Sequence, residues 1–312
     1  MKKILLIILI ILPALSWGQK MAEMTPDRIF SRKKISPGIL APVPDSTVFY
    51  WNNNKGSFRA GYALTMGLTT PSFQEANIGL YSTAFGVNNL SSGQSSFSAG
   101  SHNITNASNS MSLGSYNRST GMNSISLGTY ANAEGIGAVA LSNGLAQGNY
   151  SLAFSGGNSN SLGSMAFLGG RTFNGGSLAI GEDVHATAWH SSAIGHHLTA
   201  NSDYSLSVGQ WSDSTINVSS PIFVVGTGYS STNRKNGFVV FQSGNAVHKG
   251  LVTVNSNNQP RASLDVVGTD AIIVPVGTTA QRPSGLIGMI RFNTTTQKYE
   301  GYTASGVWVD FH

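Results

Sequence analysis

The chain has 312 residues, 40% hydrophobic and only 10% charged, with 37 glycines and no cysteine, whereas an ordinary globular protein is roughly 25% charged. Scarce charge with moderate hydrophobicity does not fit the usual disordered chain, and the lack of cysteine excludes disulfides, thiolate metal sites and cysteine nucleophiles. The formal net charge of +5 comes without a basic stripe, so nucleic-acid binding has no support.

The chain opens with Lys2 and Lys3, an unbroken apolar run from Ile4 to Leu12, and small residues Ser16 and Gly18 placed for a cut before Gln19. This is the pattern of a secretory signal peptide, 1–18. The run is too short to cross a bilayer, and no later segment reaches 18 apolar residues, so no transmembrane helix is expected after cleavage. Removing the signal leaves 16 basic against 13 acidic residues. Residues 19–51 are expected to be an N-terminal linker.

Next comes a repeat. Ser110-Met111-Ser112-Leu113-Gly114 returns as Ser124-Ile125-Ser126-Leu127-Gly128, and the same pentapeptide phase recurs ten times, ending at Gly86, Gly100, Gly114, Gly128, Ser142, Ser155, Leu168, Gly181, Gly195 and Gly209. The steps are 14 residues except for three of 13 in the middle. Regularity of this kind marks a repeat architecture.

The first pentapeptide position is Ser, or Ala138 once; the third is always Ala or Ser; the fourth is always apolar and the second nearly so. Alternation of this kind has the period of a short strand and not of a helix. The intervening residues, rich in Asn, Ser and Gly, suit tight turns around one further short strand. The expectation is a solenoid of coils stacked about 4.8 Å apart, with the large apolar residues Met111, Leu113, Ile125 and Leu127 inside one chain. The small residues Ser110, Ser112, Ser124 and Ser126, and likewise Ala153 and Ala179, are then expected to form the surface that neighbouring copies approach in a closed cyclic assembly.

The Ser-apolar-Ala-apolar-Gly unit at 14-residue spacing over 82–209 resembles the head repeat of trimeric autotransporter adhesins, the YadA-like head. The resemblance implies an all-β fold, a left-handed parallel β-roll of 13–14-residue coils, and a homotrimer. Residues 52–61 and 77–86 resemble lead-in coils, which gives a head spanning 52–210. That family's coiled-coil stalk and membrane-inserting barrel have no counterpart in the pattern here: there are no sustained heptads and no terminal set of lipid-facing strands.

A β-rich connector is expected over 211–268, then a compact tip over 269–312. The segment 274–311 resembles the terminal part of bacteriophage tail-fibre proteins and of fibre-like surface proteins of Gram-negative bacteria. Read from its residues, it is a meander of 289–292, 298–302 and 307–311, with Phe292, Tyr299, Tyr302, Trp308 and Phe311 as its core or its contacts with other chains.

Two residues beyond each terminal glycine stand Asn88, His102, Tyr116, Tyr130, Asp183, His197 and Trp211, with Gly144, Gly157 and Gly170 at the same offset in the middle coils. Residues in phase stack, so His102, Tyr116, Tyr130, His197 and Trp211 form the candidate partner-contact ladder. Other motifs carry less. Gly135-Ile136-Gly137-Ala138-Val139-Ala140 matches a weak dinucleotide fingerprint but lies in phase with the repeat, so no cofactor is expected. His185, His190, His196 and His197 are dense but out of phase, and no metal is expected. Glu182, Asp183, Asp203 and Asp213 are the carboxylates from which a polysaccharide-cleaving site would have to be built. The expected function is that of a non-enzymatic fibre, secreted or displayed on the surface of a Gram-negative bacterium, whose partners are its own copies and a host, matrix or glycan ligand. The alternatives are a polysaccharide-degrading solenoid and a phage-derived receptor-binding fibre.

Overall fold

The computed structural model describes residues 23–25, 28–32, 46–63, 75–215, 220–254, 259–267 and 271–311; the expected signal peptide lies outside them. No α-helix occurs among the described residues, which hold strands and two single 3-10 turns, Glu75–Asn77 and Thr279–Gln281. The chain divides into two compact units, Met1–Lys249 and Gly250–His312.

The first unit is a parallel β-solenoid. Each pentapeptide supplies a strand of three to five residues, such as Phe97–Ser101, Met111–Ser115 and Ile125–Thr129. Phe97, Met111, Ile125, Val139, Leu152, Met165, Leu178, Ser192 and Leu206 stand one above the next in strict register. From Ser57–Ala63 to Pro221–Thr227 this ladder counts twelve strands, about 50 Å at the usual strand spacing. A second sheet of nine two-residue strands runs from Leu90–Ser91 to Thr199–Ala200.

The expected inside and outside are reversed. Ser110, Ser112, Ser124, Ser126, Ala153 and Ala179 are buried within the single chain, whereas Met111, Leu113, Ile125 and Leu127 lie on its outer face and remain partly exposed. The reason is thickness. Ordinary packed sheets stand about 10 Å apart, but a 14-residue coil closes with strands so short that, once the second sheet has begun at Leu90–Ser91, only small side chains such as Ala, Ser and Thr fit between the two sheets. The serine hydroxyls fill the gap by bonding across it: Ser112 Oγ to Ser119 Oγ at 3.0 Å, Ser119 Oγ to Ser126 Oγ at 2.9 Å, and Ser126 Oγ to the Arg118 carbonyl at 2.8 Å. Close approach also explains the terminal glycines. A Cβ on Gly100 would sit 2.0 Å from the Gly114 carbonyl oxygen, and the residue's φ of 114° suits no other side chain.

Both ends of the parallel ladder turn antiparallel. At the start, Ser46–Asn52 pairs with Ser57–Ala63 and Arg28–Arg32 with Ser46–Asn52. Part of the expected linker is therefore sheet, as β-branched and aromatic Val48-Phe49-Tyr50-Trp51 favours. At the other end Pro221–Thr227 joins as the last parallel rung and Asn236–Phe241 and Ala246–His248 follow antiparallel. Three strands of the expected connector thus continue the sheet of the solenoid. Pairing of this kind covers the edge that the outermost rung would otherwise leave open. Arg59 occupies an inward position at the first rung and is fully buried, its guanidinium donating to the Ser82 carbonyl (3.0 Å), Ser82 Oγ (2.8 Å) and the Ser91 carbonyl (2.7 Å).

The second unit contains the expected meander as Ile290–Asn293, Lys298–Tyr302 and Trp308–Asp310, with Val276–Gly277 added in parallel. Its buried centre is polar: Glu300, Asn293 and Arg291. The aromatic core expected from the sequence does not form within one chain; Tyr299 and Phe311 are exposed, and Phe292, Tyr302 and Trp308 half-buried. Alternation decides part of this, since Phe292 and Tyr299 lie on the face opposite Arg291, Asn293 and Glu300, while Tyr302 and Trp308 flank that polar set on its own face.

Candidate functional site

The turn after each terminal glycine needs a residue in the left-handed region. Asn88, His102, Tyr116, Tyr130, Asp183, His197 and Trp211 all hold φ between 46° and 57°. For an L-residue this conformation costs on the order of 1 kcal/mol, and stacking returns a similar amount. His102 lies on Tyr116 with ring centres 4.8 Å apart and an interplanar angle of 11°, and Tyr116 on Tyr130 at 5.2 Å and 14°. The rings therefore repeat at the rung spacing. His197 and Trp211 form a second stack, at 3.8 Å and 19°. The ladder is exposed on the single chain at Tyr116 and Tyr130 and half-buried at His197 and Trp211.

At the first stack, Asn88 presents its amide nitrogen 3.3 Å from His102 Nε2, while Ser101 Oγ lies 2.6 Å from Nδ1. The second stack is electrostatic as well as aromatic. Asp183 Oδ2 lies 2.8 Å from His197 Nδ1 and its Oδ1 3.3 Å from His185 Nε2, and Glu182 faces His196 at 3.5 Å. The His197 hydrogen bond holds the Asp183 carboxyl below its ordinary range, against a smaller opposing effect of burial. Arg234 stands 5.1 Å over the Trp211 ring and donates to the His197 carbonyl at 2.9 Å.

Between the two stacks the ladder is interrupted for a structural reason. The 13-residue coils lack one turn residue and close instead with two successive left-handed residues, Ser142-Asn143, Ser155-Gly156 and Leu168-Gly169. Gly144 falls over Ala131 and not over Tyr130, since Asn132 pairs with Leu145; Gly144, Gly157 and Gly170 are thus not members of the ladder.

Two further columns run along the coils. The residue just before each pentapeptide is also left-handed: Tyr81, Tyr150, His190 and Tyr204 hold φ of 51–58° and His190 stacks on Tyr204 at 5.3 Å. The signal was present, since this column contains only Tyr, Ser, Asn, Gly and His. An inward asparagine column is the other. Asn103 Oδ1 accepts the Asn117 amide N–H at 2.9 Å, and Asn103 Nδ2 donates to the Ala99 and Gly114 carbonyls at 2.9 and 2.8 Å. Asn89 and Asn117 repeat the pattern one rung on either side.

His185 and His197 face Asp183, His196 faces Glu182 and His190 stacks on Tyr204, and among the described residues no group of three or more His, Cys, Asp or Glu is placed to hold a metal ion. Asp203 Oδ1 accepts the Trp189 amide and Asp213 Oδ1 the Thr215 amide and hydroxyl. Gly135–Gly137 form a turn that leads into strand Val139–Leu141. No helix among the described residues is long and apolar enough to cross a membrane. Comparison with known protein families and with curated proteins finds no match to this chain.

Proposed function

We propose that this chain is a non-enzymatic fibre protein, exported to a bacterial surface, which assembles side by side as a homotrimer and serves adhesion or structural attachment. The observation that carries the reading is the reversed solenoid. A column of large apolar side chains, two abreast along about 50 Å of rungs, faces outward from Phe85 past Phe154, Met165 and Ile194. Contiguous apolar surface on this scale marks an interaction site. Identical rungs on an identical copy offer the matching period, and closed rings of identical chains are the usual outcome. The small serine and alanine groups no longer take part in assembly; they permit the thin coil that puts the apolar residues outside. The ladders of His102, Tyr116, Tyr130, His197 and Trp211 stand at the turns, beside the apolar face, and are the surface offered to a glycan or matrix ligand.

Light scattering on residues 19–312 tests the assembly. A trimer is expected, and a monodisperse monomer at micromolar concentration would refute it. Screening the assembled protein against glycans and matrix proteins tests the adhesive role; binding that survives loss of both Tyr116 and Tyr130 would remove the ladder from it.

A further inference from the structure

The second unit holds a cavity of about 470 Å³, walled by Pro275, Val276, Pro283, Ile290 and Trp308 and floored by Arg291. This volume lies in the usual range of small-ligand sites, about 300–1,000 Å³.

Three ionised groups meet beside it. The Glu300 carboxylate is fully buried and is taken up by Arg282, whose Nε donates to both oxygens at 3.1 Å and whose Nη2 donates to Oε2, and by Asn293 Nδ2 at 2.9 Å. Arg291 is held far less well. Its Nε lies 3.5 Å from Glu300 Oε1 without a hydrogen bond, and Nη2 donates to the Thr278 carbonyl at 3.1 Å. No other hydrogen bond of this guanidinium occurs among the described residues, although its side chain is 94% buried. A guanidinium carries five N–H donors, and a buried charge without partners is costly. Glu300 takes its hydrogen bonds from Arg282 and Asn293 and only the longer 3.5 Å ion pair from Arg291, so Arg291 keeps unused donors.

The neighbouring backbone keeps the approach to this charge open. A Cβ on Gly277 would fall 2.6 Å from Arg291 Nη2 and 3.1 Å from Gln281 Oε1. Gln281 Oε1 is occupied by the Thr278 amide at 2.9 Å, so its side-chain NH₂ is left to donate.

We propose that this cavity binds a carboxylate carried on an apolar body, with the carboxylate on Arg291 and Gln281 and the body against Pro283, Ile290 and Trp308. The apolar walls select the body; the Arg291 guanidinium selects the charge. Every lining residue belongs to one chain.

The test is calorimetric titration of the full chain with 3-phenylpropionate, its neutral amide, and N-acetylglycylphenylalanine, which carries the same chemistry as a peptide chain end. The acid is expected to bind at least about tenfold more tightly than the amide; the tighter of the two acids names the natural source. Gly277→Ala, which keeps every charge and pushes a methyl group onto the guanidinium, is expected to weaken the acid about tenfold, and Arg291→Gln to abolish the difference between acid and amide. Equal affinities for acid and amide, no heat from either acid, or unchanged binding in folded Gly277→Ala would each overturn the proposal. Should Arg291→Gln fail to fold, Gly277→Ala decides alone.

Discussion

Two adjacent residues on one strand, Ala153 and Phe154, should respond in opposite ways to substitution. Ala153 points into the coil and is completely buried, while Phe154 points outward and is 39% exposed. A phenylalanine side chain can bury roughly 150–250 Å², so about 60–100 Å² of the ring remains to be covered, worth ~1.5–2.5 kcal/mol per chain at ~25 cal/mol per Å². In the proposed trimer, Phe154→Asp removes that contribution from each of three chains and places three carboxylates at one level of the interface. The loss of the apolar contribution alone, about 4.5–7.5 kcal/mol per trimer, is about three to five decades in the assembly constant. The outward position keeps the isolated coil intact. Ala153→Leu instead forces three further carbons into a gap that holds one, at a cost of at least about 1–3 kcal/mol of folding stability. Far-UV circular dichroism with thermal melting reads the fold, and sedimentation equilibrium reads the assembly. Phe154→Asp should dissociate with its β spectrum retained, and Ala153→Leu should melt early while its folded fraction still assembles. The reverse result, in which Ala153→Leu dissociates a stable coil and Phe154→Asp is silent, would refute the assignment of inside and outside.

Other positions give independent checks. Asn103→Ala leaves the Asn117 amide and the Ala99 and Gly114 carbonyls without their side-chain partner, and should cost about 1–3 kcal/mol in urea unfolding. Tyr116→Val places a β-branched residue at φ 57° and should destabilise by about 1–2 kcal/mol more than Tyr116→Gly, which loses the same stack without the backbone penalty. The depressed Asp183 carboxyl contributes stability above the pKa of an unfolded aspartate and loses it as pH falls through the lower, folded value. Asp183→Asn should therefore flatten the acid limb of the melting-temperature profile below about pH 4 and leave the profile near neutrality parallel to that of the parent. The change should be small, because the side chain is half exposed.

How much of this was legible follows from what each residue type encodes. The pentapeptide phase read out the rungs, their register and the all-β class directly, because period-2 alternation and in-phase spacing are properties of the chain alone. The facing of each side was not legible by the same logic. Alternation says only that Ser112 and Leu113 lie on opposite faces, and assigning the larger to the interior assumes that the interior has room. The asparagines carried the missing information. Asn89, Asn103 and Asn117 sit beside the terminal glycines in successive coils, and an unbroken column of one amide makes sense where its side chains can bond from rung to rung and to the backbone inside a narrow turn. Similarly, Tyr116 and Tyr130 were found by phase, but the break after Tyr130 required knowing that a 13-residue coil closes with two left-handed residues and so has no position for a ring. In the second unit Arg291, Asn293 and Glu300 alternate with Ile290, Phe292 and Tyr299, and once more the polar set is the buried one. Both units thus put small or polar groups within one chain and apolar groups outside it. In the proposed assembly the largest apolar residues are kept for other copies of the chain, so there an apolar residue marks burial between copies, and its place within a single chain has to be settled by how much space that chain encloses.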